Sequence, residues 1–268
     1  MGKELNYIWK LWLNYKKNAP TAGIVQELLQ FKSDDYFNDH IAFRTVNIET
    51  INKESIAYFF EQLGWEIKES YSFEKKKLKA IHLEHSTDIR LPKIFISELI
   101  VEKTSLSIQT ILNESFNTYK NTPISELLLL GRKHKIYFAK YKQLYAESEY
   151  ASWLYAFGFL PNHFTVYLNN YPNFNIESFI LQLMKNNIPL NKSGGIIKGN
   201  QSLGIKQAST LADSQNIKFE DTEESKPVPS CYVEFAERFY IKGKLFNGFI
   251  TNSADKIFDS TNQREQLS

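Results

Sequence analysis

Cys231 is the only cysteine in this 268-residue chain. A disulfide framework within the chain is thereby excluded, and so is a zinc site built on cysteine pairs. Net charge is equally scarce, because 32 Lys and Arg stand against 30 Asp and Glu and leave +2. Such a balance gives no electrostatic footprint for nucleic acid or for an anionic membrane surface. No stretch approaches the roughly 20 uninterrupted apolar residues of a membrane-spanning helix. The opening Met-Gly-Lys-Glu-Leu-Asn-Tyr-Ile-Trp-Lys lacks the long apolar core of a secretory signal, and Asn6 stands where a myristoylation signal wants Ser or Thr. The expected setting is a reducing cytoplasm.

What the chain has in quantity is material for a core: 43% of its residues are hydrophobic and 15% aromatic, with 20 Phe and 15 Tyr. That is ample for one large domain or two fused modules. Over residues 3 to 17, Leu5, Ile8, Trp12 and Tyr15 recur at helical spacing, and a second short helix is expected over 22 to 31. The polar cluster Lys32-Ser33-Asp34-Asp35 leads into a strand at 38 to 45. Asn52 is a plausible N-cap for a helix carrying Ile56, Phe59, Phe60 and Leu63 and stopped at Gly64. Strand-like runs follow at 65 to 73, 78 to 84 and 93 to 102, so the order is β-α-β-β-β. After a helical stretch the order recurs: a strand from His163, a helix capped by Asn175, runs around 196 to 211, and a last strand at 230 to 238. The expected fold is α+β, one compact domain over 1–268. Two fused βαβββ modules, 35–103 and 160–261, curl their sheets into one cup, with N-terminal helices, a helical insert at 104–157 and a C-terminal closing segment.

The chemistry starts on the first strand, where period-2 alternation puts His40, Ala42 and Arg44 on one face. An imidazole and a guanidinium aimed the same way suggest a metal ligand beside an anion clamp. His163 opens the corresponding strand of the second module, with Thr165 and Tyr167 on its face. On the last strand Tyr232, Glu234, Ala236 and Arg238 share a face. If the sheets form one cup, His40, His163 and Glu234 converge. Two imidazoles and a carboxylate make the facial triad of non-haem Fe(II) oxygenases, and zinc accepts the same donors.

Other titratable residues read differently. His82 and His85 lie on a strand that ends in a turn and face opposite ways, which is poor geometry for a metal pair. Glu98 is expected to hold in the first module the place that Glu234 holds in the second, as an orienting partner or an ordinary strand carboxylate. His134, among Arg132, Lys133 and Lys135, reads as solvated surface, and Glu74-Lys75-Lys76-Lys77 reads as a hairpin tip.

Several of these stretches together resemble the DUF1338 family, associated with 2-oxoadipate dioxygenase/decarboxylase, also called hydroxyglutarate synthase. They are Asn38-Asp39-His40-Ile41-Ala42-Phe43-Arg44-Thr45, Pro92 to Leu99, Asn162-His163-Phe164-Thr165, Tyr232 to Arg238 and Gly248 to Asp255. The resemblance implies a vicinal-oxygen-chelate-type fold with Fe(II) in the cup, held by His40, His163 and Glu234. It implies Arg44 as the catalytic clamp on a substrate carboxylate, and Ser253 in a segment closing over the substrate. The implied reaction converts 2-oxoadipate, or a similar 2-oxo dicarboxylic acid, with O₂ to 2-hydroxyglutarate and CO₂, as in lysine catabolism. Two other readings stay open on the same fold: a glyoxalase-type metal-dependent isomerase or lyase that needs no O₂, and a non-catalytic binder of small dicarboxylates.

Overall fold

The computed structural model describes residues 2–30, 38–49 and 51–250. Helices α1 (Lys3–Asn18) and α2 (Thr21–Leu28) lead to strand β1 (Asn38–Val46), helix α3 (Lys53–Glu61) and strands β2 (Trp65–Phe73), β3 (Leu78–His85) and β4 (Lys93–Leu99). The insert holds α4 (Leu106–Phe116), α5 (Ile124–Leu130), α6 (Phe138–Glu147) and α7 (Glu149–Phe157). Then come β5 (Pro161–Tyr167), α8 (Ile176–Lys185), β6 (Lys198–Asn200) and β7 (Ile205–Ser209). A ribbon of β8 (Ser214–Ile217) and β9 (Lys226–Pro229) precedes β10 (Tyr232–Arg238) and was not expected from the sequence. Residues 251–261 of the expected second module, Ser253 among them, lie outside the described residues.

The expectation of two βαβββ modules in one curled sheet holds. Eight strands join in the order β2-β3-β4-β1-β5-β10-β7-β6, which mirrors itself about the β1–β5 pair. In each half the first strand runs parallel to the last, β1 to β4 and β5 to β10, while β1 and β5 meet antiparallel.

Alternation along the strands decides which face becomes core. Phe43, Phe164 and Phe235 point to the back of the sheet, and each finds a helix there. Phe60 of α3 lies 5.6 Å from Phe43, Tyr15 of α1 lies 4.7 Å from Phe164, and Phe179 of α8 lies 5.0 Å from Phe235. The helices begin where their caps dictate. Asn52 accepts from Ser55 N at 2.8 Å, and Asn175 with Ser178 forms a reciprocal capping box. With the back face occupied by aromatic packing, the polar residues at the alternate positions are left to line the concave face.

The insert closes one end of the cup, where β1 finishes and β5 and β10 begin. Tyr150 of α7 donates to Ser97 O at 2.7 Å and accepts from Thr45 N at 3.1 Å; Trp153 donates its indole N–H to Ser230 O at 2.6 Å. Opposite, at the start of β1 and the end of β10, a cleft of about 310 Å³ opens among Asp39, Glu84, Arg90, Lys93, Tyr167 and Arg238.

His134 is buried rather than solvated, against the expectation. Burial alternates along the segment between α5 and α6: Lys133 and Lys135 face water, His134 and Ile136 turn inward. The His134 Nδ1 sits 2.9 Å from Tyr119 Oη, which accepts from Lys133 N at 2.7 Å and so has its own proton to give. Burial, then the Arg132 charge, push the imidazole pKa from 6.5 down to about 4. The unfolded chain takes up this proton near pH 6.5 and the folded chain only near 4. The contribution is therefore complete above pH 6.5 and is lost as pH falls towards 4, about 3 kcal/mol in all. Urea titrations should show wild-type stability falling by about that much more than His134→Leu stability between pH 7 and 4. Equal losses in the two proteins would refute it.

Candidate metal centre

His40 from β1, His163 from β5 and Glu234 from β10 meet on the concave face, all three buried, with one ligand atom of each within 4.8 Å of the others. Strand β5 lies between the other two, and register does the rest. Thr165 stands opposite both His40 and Glu234, while Ala42 stands opposite His163. His40 Nε2 is 3.4 Å from Glu234 Oε1, and His163 Nε2 is 3.8 Å from Glu234 Oε2. The Thr165 hydroxyl reaches His40 Nε2 at 3.1 Å and Glu234 Oε1 at 3.4 Å.

Both imidazoles are oriented by the residue that precedes them. His40 Nδ1 is 2.8 Å from Asp39 Oδ1, and His163 Nδ1 is 3.1 Å from Asn162 Oδ1. With the ring proton given to those oxygens, each Nε2 presents its lone pair to the cup, the arrangement that metal-binding histidines use. Burial, followed by the charges of His40 and Arg44, holds the His163 pKa well below its usual value, so the ring is neutral. Neutral is the ligating form.

Glu234 Oε1 accepts from Gln207 Nε2 at 2.6 Å, whereas Oε2 is buried with no hydrogen-bond partner among the described residues. Burial raises this carboxyl's pKa in spite of His40 and Gln207. An orphaned buried carboxylate oxygen facing two imidazole lone pairs is costly by itself and is offset by a cation among them. The residues thus fit a divalent metal held by two nitrogens and one oxygen. Donor type is consistent with iron or zinc alike.

Around this core lies a network with little sequence signal. Arg238 Nε and Nη2 grip Asp39 at 2.5 and 2.8 Å, and both side chains are 1% exposed. Burial opposes ionisation of Asp39, but Arg238 and His40 together outweigh it and hold the carboxyl well below the usual range. Strict alternation would turn Asp39 to the back of the sheet. A bulge between Asn38 and His40 re-aims it.

The structure puts the other expected site residues in varied surroundings. Arg44 is 1% exposed at the closed end of the cup, 3.0 Å from Glu149 Oε1, its guanidinium 4.9 and 5.2 Å from the rings of Tyr150 and Trp153. Ser253 lies outside the described residues. His82 is buried with Nδ1 2.8 Å from Tyr71 Oη, while His85 Nδ1 accepts from Asp88 N at 3.0 Å, so the two do not converge.

Glu98 is not the counterpart of Glu234. It lies opposite Thr45, turns to the back face and accepts from Lys53 N at 2.9 Å, at the start of α3. Glu237 accepts from Ile176 N at 3.1 Å, at the start of α8, and is its true counterpart. Register gives the position of Glu234 to Phe95, which lies opposite Ala42 as Glu234 lies opposite Thr165. At this register position one half of the cup therefore supplies a carboxylate and the other an aromatic ring.

Comparison with known proteins agrees with this geometry. The family model for 2-oxoadipate dioxygenase/decarboxylase matches residues 14–135 and 119–245. An Arabidopsis thaliana protein named 2-oxoadipate dioxygenase/decarboxylase, chloroplastic, is 32% identical over 95% of this chain and 76% of its own length. A Shewanella frigidimarina protein of known structure is 37% identical, covering 94% of this chain and 99% of its own, with a TM-score of 0.86. The crystal structure of hydroxyglutarate synthase from Oryza sativa, in complex with 2-oxoadipate, matches with a TM-score of 0.89 at 28% identity, over 98% of this chain and 93% of its own. With the family's model spanning nearly all described strands and a metal-fitting triad at their centre, this chain belongs to the 2-oxoadipate dioxygenase/decarboxylase family.

Proposed function

We propose that this protein is an Fe(II)-dependent dioxygenase/decarboxylase that converts 2-oxoadipate, or a close 2-oxo dicarboxylic acid, with O₂ to 2-hydroxyglutarate and CO₂. The observation that carries the reading is the triad of His40, His163 and Glu234, with Glu234 Oε2 lacking a hydrogen-bond partner among the described residues, in a chain of this family. The 2-oxoadipate in the rice relative supports the substrate class. Atom balance asks for both oxygens of O₂ in the five-carbon product, one completing a carboxylate at the former keto carbon and one as a hydroxyl beside it. Bound iron would supply the O₂ chemistry and a chelation point for the 2-oxo acid, which a protein side chain cannot do.

The chain's own residues supply position and charge. Asp39 and Asn162 fix the imidazoles, Gln207 and Thr165 fix the Glu234 carboxylate, and the helical insert shuts water out of one end. Arg44 is the clamp for a substrate carboxylate: a buried, permanently charged fork suits two parallel bonds to it. Anaerobic reconstitution with Fe(II), followed by O₂ admission and 2-oxoadipate, should give O₂ uptake matched one to one by CO₂ release. No O₂ consumption with any 2-oxo acid would sink the reading. Product formed without O₂ would favour an isomerase or lyase instead.

A further inference from the structure

The segment after β10 turns back over the cup, and one side chain holds it there. Arg238 uses its Nε and Nη2 edge for Asp39, as above, and its Nη1 donates to Phe246 O and Gly248 O, both at 2.9 Å. No nitrogen of this guanidinium is left idle, and the side chain is 1% exposed. It is therefore a connector within the protein rather than a receptor for substrate.

What it connects is specific. On one side, Asp39 orients the metal-binding ring of His40. On the other, the pinned carbonyls flank a turn that sends Phe249 down into the cup. The Phe249 ring stands edge-on to His40 at 4.9 Å, and packs on Phe95 at 4.8 Å and His82 at 5.2 Å. The Tyr71 ring, 6.1 Å from it, closes the wall from β2. Arg238 itself lies 5.5 Å from the Phe249 ring as a cation over its face. Phe95 is the register counterpart of Glu234, so Phe249 packs on the position where the first half has a ring in place of that carboxylate.

We infer that Arg238 is a positioning residue that sets the metal ligand His40 and the aromatic wall Phe249 as one unit, so that metal affinity and the size of the substrate space are coupled through a single guanidinium. The inference rests on the metal-centre reading, and it goes beyond it by giving the site a wall and a determinant of substrate length. A lysine cannot take over this task, because one ammonium cannot span a carboxylate and two carbonyls that approach from different sides.

The test uses the whole chain and two readouts that need no turnover. In Arg238→Lys, which keeps a cation beside Asp39, Co(II) affinity should fall about 10- to 100-fold, the usual cost of losing a ligand's orienting partner. Hydrogen exchange at the amides of Asn247 to Phe249 in the metal-free protein should quicken at least about tenfold, as expected when a local opening is freed. Phe249→Ala, which leaves the Asp39–Arg238 pair intact, should keep Co(II) affinity within about threefold while shifting the kcat/KM preference towards a 2-oxo dicarboxylic acid one methylene longer. Unchanged metal affinity in Arg238→Lys would overturn the coupling whether or not exchange quickens, since a merely structural role moves exchange and melting alone. An unchanged chain-length preference in Phe249→Ala would overturn the wall. If wild type turns over no 2-oxo acid, the proposed function fails, yet the Co(II) and exchange measurements still decide the coupling.

Discussion

Glu234→Gln should abolish tight binding of a divalent metal while leaving the fold intact. The loss should exceed the roughly 10- to 100-fold typical of removing an orienting partner, because a ligand atom itself is gone. Geometry argues that the fold survives. Gln keeps an oxygen for the 2.6 Å bond from Gln207, and it removes a negative charge that burial already disfavours. The metal-free variant should thus be at least as stable as metal-free wild type, since a buried carboxylate oxygen without a donor is a liability. Adding metal separates them. At a concentration 100 times its Kd, wild type gains about 2.7 kcal/mol, and the variant gains nothing at the same concentration. Melting with and without Fe(II) or Co(II), together with metal analysis after dialysis, reads both effects. Full metal occupancy in the variant would disprove the triad.

That triad was legible in the sequence because each ligand sits where plain period-2 alternation turns it to the concave face. The repeat of β-α-β-β-β order was legible for a similar reason, as Asn52 and Asn175 cap helices whose apolar spacing is regular. Features that escaped depend on departures from regularity. A bulge turns Asp39 toward His40, and no residue pattern around Asn38 announces it. Glu98 was matched with the wrong glutamate. The segments Ser97-Glu98-Leu99 and Ala236-Glu237-Arg238 align by the backbone amides their carboxylates hold, and that shared task appears only with α3 and α8 in place. His134 was hidden by its charged neighbours, which face water while its own side chain turns inward. Arg238 was seen on the face of Glu234, but its partners come from residue 39 and from residues 246 and 248. The Asp39 contact spans 199 residues, and the two carbonyls belong to an irregular segment with no periodic pattern to place them.

Arg44→Met is the second large effect, and it tests the clamp against its structural alternative. If Arg44 holds a substrate carboxylate, the variant should bind metal within about threefold of wild type yet lose about 10²- to 10³-fold in kcat/KM for 2-oxoadipate, roughly 3–4 kcal/mol, within the range for truncating one side of a buried charge pair. The bland alternative is that Arg44 merely ties the insert to the sheet through Glu149 at 3.0 Å and the rings of Tyr150 and Trp153. Under that reading, Glu149→Gln and Arg44→Met should act alike, each lowering stability while the folded fraction keeps its kcat/KM. The clamp predicts a split. Glu149→Gln removes a carboxylate that competes for the guanidinium, so kcat/KM should not fall, whereas Arg44→Met removes the guanidinium itself. Arg44→Lys sharpens the distinction: it restores the charge without the planar fork, and should recover only part of the loss. Stability should divide the variants less than activity does, because the Glu149 side chain is 17% exposed and water takes over part of its solvation when Arg44 is gone. An Arg44→Met variant whose folded fraction keeps its kcat/KM, with stability lowered as in Glu149→Gln, would assign the pair to structure and leave the substrate carboxylate to another cation.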